Sequence, residues 1–149
     1  MRSALLLTTA FLLTALPVFS QLCTGSLGDP VVHITFGKGG AQGNAIPSAA
    51  TTYGFRSSDC PDDGFYTIRN STSGCFGNTW HNVSEDHTPG DIDGHMMVVN
   101  ASFQPGVFYL DTVRGLCANT TYELAAWVMN VLRTSACGGS GIDLSLVHI

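Results

Sequence analysis

What most constrains this chain is how turn-forming residues cut it. Beyond an apolar leader, every apolar run is short, and clusters of Gly, Pro, Asn, Asp and Ser bound each one. Runs of this length and spacing predict an all-β antiparallel sandwich. The candidate strands are Val31–Phe36, Tyr53–Arg56, Phe65–Arg69, Trp80–Val83, His95–Asn100 and Val107–Val113. The longest candidate is Thr120–Leu132. Glu123, Leu124, Ala125 and Ala126 would suit a helix. The Thr-Thr-Tyr opening and Trp127, Val128 and Val131 favour a strand, with Tyr122, Leu124, Ala126 and Val128 on one face.

Composition removes other classes. At 149 residues one domain is the expectation. A hydrophobic share of 44% is too high for a disordered chain. A net charge of −5 speaks against a nucleic-acid partner. Seventeen glycines without a three-residue period are not collagen.

Met1–Ser20 reads as a secretory signal peptide, with Arg2 as its positive end, Ala4–Leu16 as its apolar run and cleavage before Gln21. As an uncleaved anchor the run is short for about 30 Å of hydrocarbon. A lipoprotein signal would need a small residue directly before Cys23, where Leu22 stands. The expectation is residues 1–20 as leader and 21–149 as the β-sandwich, secreted or held at the cell surface, with no membrane span in the mature chain. Leu144–Ile149 reads as the start of a further strand, so the sandwich is expected to be incomplete, with further domains of the same polypeptide beyond it.

Five cysteines enter a compartment where disulfides form. Cys60 and Cys75 flank a turn at Asn70–Gly74 and make a plausible pair, whose closed loop would contribute about 3 kcal/mol. Cys117 and Cys137 flank the longest candidate strand. Extended, its ends stand about 40 Å apart at roughly 3.3 Å per residue, whereas a bridge needs Cα atoms within about 7 Å. That pairing requires the chain after Leu132 to double back. Cys23, before the first strand, is expected to lack its partner. No Cys/His spacing of zinc-finger type occurs.

The densest polar stretch is His81–His95, HNVSEDHTPGDIDGH. Asp86, Asp91 and Asp93 offer oxygen donors suited to calcium, although the spacing is not that of an EF-hand. The alternative is a solvated loop with an Asx-turn at Asp86. Pro89, Gly90 and Gly94 forbid a zinc-hydrolase helix here. A metal-dependent hydrolase would instead require His81, Asp86 and His87 to converge. No G-x-S-x-G nucleophile motif occurs, and the glycines of Gly37–Gly43 lack the Gly-Lys-Ser/Thr of a phosphate-binding loop. No catalytic residue is therefore assigned.

Sugars stack apolar C–H faces on aromatic rings, which brings forward Trp80, Tyr109 and Trp127. Trp80 is expected in the core. Trp127 shares its face with Glu123 and is expected to be partly open. Four N-x-S/T triplets, at Asn70, Asn82, Asn100 and Asn119, could carry glycans in a eukaryotic secretory route and would be turn chemistry in a bacterium.

Three stretches carry a family resemblance: CTGSLGDPVVHITFG (Cys23–Gly37), DGHMMVVNASFQPGVFY (Asp93–Tyr109) and VRGLCANTTYELAAWVMNV (Val113–Val131). With the spacer CPDDGFYTI (Cys60–Ile68) they cover nearly the whole mature chain. They resemble the N-terminal domain of large secreted surface proteins of gliding Bacteroidetes, often labelled gliding-motility-associated or PKD-repeat-containing. The run DHT followed by GHMM (Asp86–Met97) is also similar to a stretch of MAM-type jelly rolls, with His95 where an aromatic is usual. The resemblance implies a galactose-binding-like jelly roll, surface display, and a C-terminal continuation carrying a cysteine near its closing strand.

Together these readings lead to an extracellular non-catalytic adhesion module. Its expected partner is a polysaccharide or cell-surface glycan, and Trp127, Tyr109 and Arg114 are the expected contacts. A ligand-free spacer domain and a metal-dependent hydrolase are the alternatives.

Overall fold

A computed structural model describes residue 30, residues 32–40 and residues 42–136. The chain divides into two units, Met1–Val31 with Arg114–Thr121, and Val32–Val113 with Tyr122–Ile149. The sheet belongs to the second. The expectations for the leader, Cys23, Cys137 and Leu144–Ile149 fall outside the described residues.

Three strands form one sheet in the order β1-β2-β3: β1 is Gly54–Phe55, β2 is Phe65–Arg69 and β3 is Met96–Asn100. The one other regular element described is a 3-10 turn at Ser48–Ala50. Among the described residues there is no α-helix, which is compatible with an all-β fold.

β2 is the hub. Its FYTIR sequence is aromatic and β-branched, which suits a pleated, buried surface. Asp62-Asp63-Gly64 turns the chain into it, with the Phe65 N–H donating to Asp62 O at 3.0 Å and Gly64 at φ +81°. Tyr66, Thr67 and Ile68 are all buried, so the strand is covered on both faces. It pairs antiparallel with β3, with Thr67 opposite Val98, and in parallel with β1, with Phe55 opposite Tyr66. Side chains extend the anchoring. The Tyr66 hydroxyl accepts from Ile46 N–H at 2.9 Å. Gln42 Nε2 donates to Thr67 Oγ1 at 3.0 Å and to Arg56 O at 2.9 Å. Gly43 N–H donates to Ile68 O at 2.9 Å, and a Cβ at Gly43 would overlap the Ile68 and His95 side chains.

A small core sits beside the sheet. Cys75, Trp80 and Val98 are buried, and Cys60, Met96, Val131 and Leu132 pack against them. The Cys60–Cys75 disulfide is formed, with Cα atoms 5.4 Å apart, as the turn between them implied. Arg69 at the end of β2 pairs at 2.6 Å with Asp59, the residue before Cys60. Trp80 is a core residue as expected, its ring 4.9 Å from Phe76. Cys117 is also disulfide-bonded.

Several expected strands are corrected. Residues 32–36 form no ladder. The pairing sits further on, where Lys38 bridges Gly94 and His95 N–H donates to Gly37 O. Trp80–Val83 reduces to isolated bridges at Trp80 and Val83. Val107–Val113 is held by single bonds to residues 50–52. Among the described residues, the bridge seen for Thr120–Leu132 is at its end, where Trp80 bridges Leu132 and His81 N–H donates to Val131 O at 2.7 Å. The reason is common to all four. Alternating side chains prepare a strand, but a strand exists only where a neighbour takes its N–H and C=O groups.

No helix among the described residues is long and apolar enough to cross a membrane. The formed disulfide fits passage through an oxidising compartment.

Candidate functional site

The polar stretch after Val83 is a loop fixed at both ends. Thr72 pairs with Val83 at one end and Lys38 with Gly94 at the other. Pro89-Gly90 makes the turn between them, with Gly90 at φ +75° and Asp91 N–H donating to Thr88 O. The loop curves around a hollow of about 430 Å³ lined by residues 84–93. Glu85, Asp86, Asp91 and Asp93 line it, with no Lys or Arg among the lining residues, so its field is negative.

Asp86 is half-buried. Its carboxylate lies against Gly94, where a Cβ would come within 2.5 Å of Oδ1. That oxygen is buried and has no hydrogen-bond partner among the described residues. Asp93 turns elsewhere, its Oδ1 accepting from Asn70 Nδ2 at 3.4 Å. Among the described residues no three His, Cys, Asp or Glu side chains gather so as to hold a metal ion. The expected calcium set of Asp86, Asp91 and Asp93 is therefore not assembled, and neither is the His81, Asp86 and His87 set of a metal-dependent hydrolase. His95 is spoken for as well. It is buried, with Nε2 3.0 Å from Gly39 O, where it donates.

Trp127 stands at this loop. Its indole is 71% exposed and meets His87 edge to face, with ring centres 4.0 Å apart and planes 82° apart. Sequence reasoning treated the two residues separately. Nothing in either local stretch signals a contact between parts of the chain so far apart.

Tyr109 lies elsewhere. It lines an apolar groove of about 200 Å³ with Ile34, Phe36, Ile46, Ala50 and Asp111. Its ring meets Phe36 at 5.7 Å, edge to face. Its hydroxyl donates to Asp111 Oδ2 at 3.5 Å. Burial, and then the charge and hydrogen bond of Asp111, hold the phenol above its ordinary pKa. Arg114 is exposed and belongs to the other unit. Within the unit that holds them both, Trp127 adjoins the acidic loop and Tyr109 lines the groove.

The chain matches no protein-family model, no curated protein sequence and no solved structure.

Proposed function

We propose that the chain is an extracellular, non-catalytic, carbohydrate-binding module of a larger cell-surface protein, built on a jelly-roll, galactose-binding-like sandwich. The observation that carries the reading is Trp127. An indole costs free energy to leave in water, yet this one is 71% exposed and braced by His87 beside a polar hollow. Its face offers a platform for the C–H side of a sugar ring, and the carboxylates of the loop accept from hydroxyls. Burial of Trp127 would instead have favoured a ligand-free spacer. The helix-free β architecture of the described residues and the formed disulfide support the setting. The sequence resemblance to gliding-associated surface proteins supports display on a larger polypeptide.

A glycan array probed with the secreted chain tests the proposal. Binding to a defined set of glycans that is lost in Trp127→Ala is the expected result. An array with no signal, or a signal indifferent to Trp127→Ala, would overturn it.

A further inference from the structure

We infer that the groove between residues 34–36, 46–50 and 109–111 is a second sugar subsite, taking a single neutral pyranose ring between its apolar walls with Asp111 accepting from a ring hydroxyl. The inference rests on the carbohydrate reading and adds to it a separate location and ligand class.

Four observations place this ligand in the groove. The first is size. About 200 Å³ is below the range of about 300–1,000 Å³ usual for drug-sized ligands, so the groove suits one ring and not an oligomer.

The second is the character of the walls. Ile34, Phe36, Ile46, Pro47, Ala50 and Leu110 are apolar, and Asp111 supplies the charged end. Tyr109 and Phe36 meet at 83°, so each ring keeps at least one face free of the other. A pyranose has this division, with C–H groups on its faces and hydroxyls around its rim. Asp111 opposes an anionic sugar, and no Lys or Arg lines the groove to offset it.

The third is rigidity. Leu110 N–H donates to Ala50 O at 2.7 Å, and Thr52 N–H donates to Val107 O at 2.8 Å. Val107 N–H in turn donates to Thr52 Oγ1 at 2.9 Å. The far wall is tied to the central strand by the bond from Ile46 N–H to the Tyr66 hydroxyl. These two walls need little ordering when a ligand enters.

The fourth is the polar pair at the groove's end. Asp111 Oδ1 accepts from Thr112 N–H at 2.7 Å, which fixes the carboxylate. Among the described residues its Oδ2 takes a long bond from the Tyr109 hydroxyl, and a carboxylate oxygen has capacity for a second donor. The Tyr109 hydroxyl spends its proton on that bond, which leaves its oxygen free to accept.

The experiment is a two-dimensional ¹⁵N NMR titration of the full chain. The probes are the methyl glycosides of glucose, galactose, mannose and N-acetylglucosamine. The expected result is a saturable shift of the Phe36, Ala50, Leu110 and Asp111 amides with at least one glycoside. Asp111→Asn, which keeps the Oδ1 acceptor for Thr112, should weaken that binding about tenfold. Ala50→Leu, which fills the groove, should abolish it. Shifts confined to His87 and Trp127 would overturn the groove and leave the Trp127 reading standing. Groove shifts beside an array signal indifferent to Trp127→Ala would do the reverse. Titration without groove shifts, or groove binding unchanged by both variants, overturns the inference.

Discussion

The imidazole of His87 and the indole of Trp127 stand 4.0 Å apart, edge against face. The contact holds an otherwise exposed ring in one orientation at the margin of an acidic loop. A braced aromatic loses less entropy when a ligand stacks on it than a freely rotating one.

That arrangement separates binding from stability. Trp127→Ala is expected to remove glycan binding while moving the unfolding free energy by no more than about 0.5 kcal/mol, as for other exposed positions. Trp127→Phe should retain part of the binding. His87→Ala should weaken it to a lesser degree, since the platform stays but its brace is gone. Affinity by calorimetry set beside a thermal melt checks all three. A large fall in melting temperature for Trp127→Ala would mean that the indole supports the fold instead.

The disulfide carries the opposite weighting. Cys60 and Cys75 close a short loop against Trp80 and Val98 in the core. Cys60→Ser with Cys75→Ser is expected to destabilise the chain by about 3 kcal/mol through the freed loop. Cys75 is buried, so the hydroxyl left at that position adds to the loss. Urea unfolding of the double variant against the parent, both under oxidising conditions, measures it. Equal midpoints would show that packing alone holds the loop.

Much of this core was legible in the sequence. β2 and β3 are short, β-branched runs with turn residues at their ends, so local chemistry sets both their type and their limits. The Cys60–Cys75 pair followed from the turn between them. Thr120–Leu132 misled because alternation reports only which way side chains point. Whether an edge is there to meet them is a long-range fact, and among the described residues the bridge partner stands at the segment's end, near Val131. The candidate site was legible in its parts. Trp127 read as partly open, and the Glu85–Asp93 loop read as polar. Their meeting through His87 depends on tertiary placement, which no local pattern encodes. Whether carboxylates close in sequence converge is likewise a matter of tertiary placement: Asp86 lies against Gly94 and Asp93 meets Asn70.

The Asp86–Gly94 contact makes a sharper test of the loop. A Cβ at residue 94 would stand 2.5 Å from Asp86 Oδ1 and 2.7 Å from its Cγ. Gly94→Ala should therefore destabilise the chain by about 1–3 kcal/mol, the usual cost of overpacking. Asp86→Ala vacates the space, and it also removes a buried oxygen that has no partner among the described residues. Gly94→Ala placed on Asp86→Ala should then cost much less than on the parent. A double-mutant cycle from denaturant unfolding reads the coupling. Strict additivity would mean that the carboxylate swings clear at no cost.

Tyr109 gives the pH dependence. Its folded pKa is raised above the ordinary phenol value of about 10, first by burial and then by Asp111. The folded chain therefore holds this proton more tightly than the unfolded chain does. The resulting stabilisation is complete below the unfolded value, and it is lost as pH climbs through the folded one. Stability should fall on the alkaline side, and Tyr109→Phe should fall less steeply across that window while losing the bond to Asp111. Asp111→Asn removes the charge and should bring the phenol back toward its ordinary value, leaving only the burial contribution. Phenolate absorbance titrations of the parent and both variants, run beside unfolding at matched pH, separate these effects. A parent titration in which Tyr109 ionises at or below about 10 would show that Asp111 does not act on it.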